Sequence, residues 1–365
     1  MALIGIYSDV HISHSSSILP TYLQDTDKYT TRLNMCKASM NWAYEQFKQR
    51  QVYTVINCGD LFNSHTISSD ELDAYIEFIK KRNSDNKYHP TVDCTLIGNH
   101  DKFNDNFNSL KMLNITNYSH LIDTYEYVSI IPDWDVYMIS FYDSSDFVDN
   151  ILKMLNTFPR QKSKAILFMH GDINGSMLSG DKRIEHHITT EFLTKYFDVV
   201  INGHIHCHER IYNQNNKKIY NIGSLTTHSF ADSNNHVPAC YIFNTETEEI
   251  EQIINPYGIL FKYYTIATET DIQVMCNDLD KISNQIILKV KCSIDFKDKI
   301  SKILENYSNI LKYKFVFIYN KEISNTNIVS KSTSQNVDIK DEFITFLSNR
   351  SDLKGDINDY SKLID

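Results

Sequence analysis

The stretch "TVDCTLIGNHD" (Thr91 to Asp101) joins two kinds of sequence. Its first part is a short apolar run with β-branched residues, closed by a glycine, and reads as a buried strand. Its last three residues, Asn99, His100 and Asp101, put an amide, an imidazole and a carboxylate where that strand emerges. Open α/β sheets build their sites at strand ends, so neighbouring strands are expected to carry the same pattern.

They do. Ala2 to Tyr7 is followed by "SDVH" with Asp9 and His11, Val52 to Asn57 by "CGD" with Asp60, Ala165 to Met169 by His170, and Val199 to Ile201 by "NGHIH" with His204 and His206. Five successive strands thus deliver metal-type donors at one end. Helical spacing of apolar residues predicts helices over Thr31 to Gln49, Ser69 to Lys81, Asp146 to Leu155 and Thr190 to Phe197. Further strands are expected at Glu126 to Ile131, Asp135 to Phe141, Lys218 to Ile222, Ala239 to Phe243 and Glu249 to Ile254. This order predicts an α/β layered domain with a mixed sheet or a pair of sheets.

The chain's 365 residues, 42% of them hydrophobic, suffice for one large domain and a small one. No basic leader with a cleavage site opens it, and no apolar run nears the roughly 18 residues of a membrane span. A cytoplasmic protein without a membrane partner is the expectation. Seven cysteines without any C-x-x-C pair suggest neither a disulfide framework nor a thiolate zinc site. The net charge is −10, with 31 acidic against 21 basic residues in 1–255 and 15 of each in 256–365. That balance argues against a broad cationic surface for nucleic acid, so a phosphodiester substrate needs another source of attraction.

From about residue 259 the register changes to strand, helix, strand, helix, strand (Phe261 to Ile266, Asp271 to Leu279, Gln285 to Lys291, Lys297 to Glu305, Tyr313 to Tyr319). Three divisions follow: 1–258, a small α+β module over 259–325, and a tail over 326–365. The tail opens with the polar "NKEISNTNIVSKSTSQNV" as a linker and carries the short amphipathic "DIKDEFITFLSNR".

Imidazole nitrogens with carboxylate and amide oxygens suit manganese, iron, zinc or magnesium. Seven donors exceed the needs of one ion. They divide naturally into two ions about 3.5–4 Å apart sharing a carboxylate, which clamps the attacking and leaving oxygens of a phosphoryl group. A lone D-x-H or H-x-H is more often structural; the ordered series carries the weight.

D-x-H, GD, GNHD, H and GH-x-H, each after an apolar strand, resemble the calcineurin-like metallophosphoesterases over roughly residues 1–255. The resemblance implies a layered α-β-β-α sandwich with a small C-terminal α+β capping domain and a helical tail. It implies that Asp9, His11, Asp60 and His206 hold one divalent ion, and Asp60, Asn99, His170 and His204 the other, with Asp60 as bridge. His100 is expected beside the scissile phosphate as hydrogen-bond donor or general acid, oriented by Asp101. "GDLFNSH" and "GNHD" differ from the D-R-G and GNHE of the family's protein phosphatases. Together with "GHIHCHERIYN", "IYNIGSLTTHSFAD" and "YIFNTETEEIEQI" they resemble the nuclease branch, the SbcD type and its T-even phage counterpart. That branch implies a manganese-dependent DNA exonuclease or endonuclease in recombination, repair or replication. It also implies a homodimer whose tail helix docks on an SbcC-like, SMC-type ATPase.

One departure is Asn63, where cellular members commonly have a histidine; His65 stands two residues on. His65 and His14 are read as solvated loop residues, and phosphate contact by His208, His228, Arg210 or Ser224 stays open. A phosphomonoesterase or cyclic-nucleotide phosphodiesterase of the same fold is the alternative, and a scaffold without activity a third reading.

Overall fold

Alternation along the first strand sets the architecture. In β1 (Leu3–Tyr7), Ile4 and Ile6 point to one side and Gly5 and Tyr7 to the other. β1 pairs in parallel with β2 (Thr54–Asn57), β2 with β3 (Val92–Leu96), and β3 with His120–Ile122. On its other side β1 runs antiparallel to Ala239–Asn244, which Glu249–Ile254 flanks. Helices α1 (Thr31–Gln49) and α2 (Ser69–Asn83) cover the outer face, with Leu33, Phe47 and Phe78 packed in one core with Tyr7 and Val55. α1 starts where Thr30 caps the Leu33 N–H, and α2 at a Ser68–Glu71 capping box.

A second six-stranded sheet runs Glu209–Gln214, Lys217–Asn221, Val199–Asn202, Lys164–Met169, Trp134–Ile139, Tyr125–Val128, parallel at its centre. Its inner face brings Val136, Phe168 and Ile201 against Ile4, Ile6, Ile56 and Leu96. Helices Ser144–Thr157 and Thr190–Tyr196 cover the outside. The chain is therefore the α-β-β-α sandwich expected, built as a pair of sheets. The structure, a computed structural model, describes residues 2–317 except 15, 17–18, 20–21, 23–26, 86–87, 89, 105–106, 112–118, 129–130, 180–181, 229 and 231–235.

Beyond the sandwich, Leu260–Ile266, Ile286–Cys292 and Ile310–Phe317 form an all-parallel sheet. Helices Glu269–Leu279 and Lys297–Leu304 bury Ile272, Met275, Ile300 and Leu304 with Leu288 and Val290 in a core of its own. Phe261 and Ile287 belong instead to the core that holds Leu33 and Phe47. Met1–Ile318 is one compact unit. The linker and docking helix expected in 326–365 lie outside the described residues. No helix among the described residues is long and apolar enough to cross a membrane.

Candidate metal centre

The donors stand at the C-terminal ends of parallel strands from both sheets. β1 leads to Asp9 and His11, β2 to Asp60 and β3 to Asn99, while the second sheet brings His170 after Lys164–Met169 and His204 and His206 after Val199–Asn202. The expectation of five successive strands needs correction. Tyr125–Val128 and Trp134–Ile139 intervene in the chain and deliver no donor; there Ser140 accepts the Ile97 N–H and Phe141 packs near the site.

Backbone geometry brings these tips together at some cost. Asp9, His11, Asp60 and His204 have φ of 51°, 46°, 50° and 68°, a left-handed conformation that costs a non-glycine residue on the order of 1 kcal/mol or more. Hydrogen bonds hold it: Asp9 and His11 donate their N–H groups to the Gly59 and Asp60 carbonyls at 3.0 Å each. Glycine is required where the turns meet. A Cβ on Gly98 would lie 2.0 Å from Asp60 Oδ1, and one on Gly59, itself at φ 103°, would lie 2.4 Å from His170 Nδ1.

Around Asp60 the side chains converge. Its Oδ2 lies 3.5 Å from His11 Nε2 and 3.4 Å from His170 Nε2, and its Oδ1 accepts the His100 N–H at 2.9 Å. On one side, His11 Nε2 is 3.2 Å from His206 Nε2, and both lie 3.8 Å from Asp9 Oδ1. On the other, Asn99 Oδ1 is 3.1 Å from His170 Nε2 and 2.9 Å from His204 Nδ1. The seven expected donors thus form two groups that meet at Asp60. Donor atoms of Asp60, His170 and His204 all lie within 4.8 Å of one another, as do those of His11, Asp60 and His100.

These groups fit divalent cations. Asp9 Oδ1 is buried with no hydrogen-bond partner, an arrangement that is costly unless a cation completes it. His170 donates from Nδ1 to the Cys58 carbonyl at 2.7 Å, which leaves the Nε2 lone pair toward Asp60 and Asn99. Burial lowers the pKa of His11 and favours the neutral, ligating form. Burial would raise that of Asp60, but His170, His11 and His100 hold it well below the usual carboxylate range. Burial also works against a proton on His170, yet the Asp60 and Asp9 carboxylates outweigh it and raise its pKa to about 9.

Metal uptake must expel that proton. The apparent affinity for manganese is expected to rise about tenfold per pH unit through neutrality and to level off above the His170 pKa. Calorimetry in buffers of different ionisation enthalpy reads both the slope and the released proton. A flat affinity across neutral pH contradicts His170 as a ligand.

One site expectation changes. Asp101 does not orient His100. Its buried carboxylate accepts the backbone N–H groups of Phe62 and Gly98 at 3.0 Å each and of Leu61 at 3.3 Å, tying the Asp60 loop to the Asn99 loop. Burial and the Asp60 charge raise its pKa to about 7 despite those bonds. His100 is oriented instead by its Nδ1–H donating to the Asn63 carbonyl at 2.9 Å, so the backbone at 63 does this work whatever side chain stands there. His208, Arg210 and Ser224 make structural contacts: His208 stacks on Tyr241, Arg210 lies over Tyr220, and buried Ser224 bonds to Thr226 and His236. His14 sits at the surface beside Asp70.

Two further residues join the site through tertiary contacts. Asp172, which sequence reasoning misses, places Oδ1 3.2 Å from His204 Nε2 and turns that ring's other nitrogen to Asn99; its signal is the "HGD" after Lys164–Met169. His228, open on sequence grounds, packs its ring 4.1 Å from that of His11, with a nitrogen within 4.8 Å of those of His11 and His206. Arg32 on α1 contacts it and donates to the Val10, His11 and Thr227 carbonyls. Burial and that guanidinium push the His228 pKa well down, which keeps the imidazole neutral.

A two-sheet sandwich whose strand tips gather histidine, aspartate and asparagine around one shared carboxylate defines a metal-dependent hydrolase of phosphoester bonds. The chain belongs to the calcineurin-like phosphoesterase family, whose model matches residues 2–208. Among solved structures it is similar to a dimetal phosphatase from Danio rerio, with 14% identity and a TM-score of 0.42 over 70% of this chain and 99% of that one. It is also similar to a hypothetical protein from Thermus thermophilus, with 8% identity and a TM-score of 0.40 over 69% of this chain and 98% of that one. No curated protein matches the chain.

Proposed function

We propose that this phosphoesterase is a manganese-dependent DNA nuclease subunit, hydrolysing phosphodiester bonds in recombination, repair or replication. In this reading it works as a homodimer with an SMC-type ATPase that engages residues 331–365. The observation that carries the reading is a basic sheet face in an otherwise acidic chain. Parallel register aligns Tyr263, Lys289 and Lys314 in one row and Thr265, Lys291 and Val316 in the next, with Lys312 one row nearer the body beside Ile287. The opposite face carries Tyr264, Leu288, Val290 and Phe315 in the module's core, so the four lysines share the other side. A polyanion gains from such a face, whereas a small monoester has no use for it.

Two divalent ions, when bound, supply the Lewis acidity and the activated water of phosphoester hydrolysis. Asp9, His11, Asp60 and His206 would hold one and Asp60, Asn99, His170 and His204 the other. His100, its Nδ1–H fixed on Asn63, keeps its remaining ring nitrogen for the phosphate or for the leaving oxygen.

The test is turnover, with manganese, of single-stranded and linear duplex DNA, alongside bis-p-nitrophenyl phosphate and its monoester. Cleavage of DNA and a preference of at least about tenfold for the diester, about 1.4 kcal/mol in transition-state binding, are expected. A monoester preference without DNA cleavage would instead establish the phosphomonoesterase alternative.

A further inference from the structure

We propose that the cleft beside Asn99 seats an unpaired nucleobase, stacked on Phe103, next to the scissile phosphate; this rests on the nucleic-acid reading above and names what the site reads there. After His100, Lys102–Asn104 pairs antiparallel with Phe107–Asn108 as a short hairpin. Its base is pinned to the donor loop, because Ser109 N–H donates to the Asp101 carbonyl at 2.9 Å. Lys102 Nζ donates to the Phe141 carbonyl at 3.0 Å and ties the hairpin to the second sheet. Phe103 is thereby held at a set place relative to Asn99 and His100.

Two phenyl rings on this hairpin stay in water. Phe103 is 62% exposed and Phe107 59%. They form a row with His65, whose ring centroid is 4.9 Å from that of Phe103, while Phe103 and Phe107 are 6.4 Å apart. Exposed rings grouped at the mouth of a site mark a surface that waits for an apolar face. The cleft that Phe103 borders holds about 460 Å³ and is lined by Asn99, Lys102, Phe103, Asn104, Phe141 and Asp143. Its inner wall reaches the donors, since the Phe141 ring lies 6.2 Å from that of His170 and 6.0 Å from that of His204.

The lining decides the ligand class. A wholly apolar group could make no polar contact with Lys102, Asn104 and Asp143, whose side chains give the cleft a polar wall. A nucleobase has a π face for Phe103 and a polar edge for those three groups, and the volume suits a nucleoside. The base must be unpaired, because a base inside a duplex has both faces stacked and its edge engaged. Another cavity among the described residues, about 510 Å³ and lined in part by Ala2, Trp134, Lys164 and Thr245, lies at the opposite, N-terminal ends of the strands and away from the donors.

Binding of a fluorescent thymidine octamer with hydrolysis-resistant phosphorothioate linkages tests this against an octamer of the same backbone with abasic residues. Wild type is expected to bind the thymidine octamer more tightly, and Phe103→Ala to weaken that binding roughly 5- to 150-fold while holding the abasic octamer within about twofold. Phe103→Trp is expected to restore it. Equal binding of both octamers by wild type overturns the base seat without any variant, and so does Phe103→Ala weakening both alike. Those results leave the nuclease reading standing if DNA is still cut. Wild type that binds neither octamer overturns the base seat as well, and the nuclease reading falls with it only where DNA is also left uncut.

Discussion

Asp60→Asn is expected to remove hydrolysis altogether, lowering metal affinity by at least about a hundredfold and turnover by more, because both donor groups share this one carboxylate. The substitution keeps a side chain of the same shape, so the amide oxygen it introduces can still accept the His100 N–H that Asp60 Oδ1 accepts at 2.9 Å. What it removes is charge. His11 and His170 lose the anion that lies 3.5 and 3.4 Å from their Nε2 atoms. A spectroscopic signature separates this from general damage: in the metal-free wild type, carboxylates outweigh burial and raise the His170 pKa to about 9. In Asp60→Asn its titration midpoint is expected to fall by more than about one unit, since desolvation then acts with less opposition. Nuclear magnetic resonance of the imidazole protons reads it. An unmoved midpoint, or a variant that binds two manganese ions as well as wild type, would sink the shared-carboxylate arrangement.

His100→Ala is expected to leave metal binding unchanged and to lower the rate strongly. The backbone N–H at 100 survives the change, so the contact that fixes Asp60 is kept and metal content should stay at the wild-type value. The imidazole, held by the Asn63 carbonyl and packed edge-on 4.7 Å from His11, is lost. Loss of a positioned acid or hydrogen-bond donor costs about 10²–10⁴ in rate, and that is the expected fall in kcat on bis-p-nitrophenyl phosphate. The pair of measurements matters more than either one. Cleavage that survives, or metal that leaves in parallel with activity, would show that His100 does not act on the phosphate. Asn63→Ala should leave kcat within about threefold, because its carbonyl, not its amide, orients the ring.

The two substitutions also show why site residues differ in legibility. Asp9, His11, Asp60, Asn99, His170, His204 and His206 are readable because each follows an apolar strand, and strand ends are set by local pattern. α1 spans Thr31–Gln49 as its periodicity predicts, since a 19-residue amphipathic run with a threonine cap specifies itself. The hairpin after His100 escapes sequence reading: its strands are two and three residues long and polar, too short for any period to register. Asp101 misleads for a different cause. Adjacency in the chain suggests that it holds His100, but the turn aims its carboxylate inward at three N–H groups, two of them from the loop of Asp60.

Charge shows the same division. The count of 15 basic and 15 acidic residues in 256–365 reads as neutral, yet parallel register puts Lys289, Lys291, Lys312 and Lys314 on one face.

By itself the sequence determined which side chains can hold metal and that strands carry them in a set order, because strand and helix periods are properties of neighbouring residues. Only the tertiary structure decided that the donors come from two facing sheets, that Asp172 and Asn63 aim His204 and His100, that His228 joins the cluster, and that the exposed Phe103 ring lines a cleft with Asn99. Those facts depend on contacts between residues up to more than a hundred positions apart, as between His170 and Cys58, and no local pattern encodes which distant groups will meet.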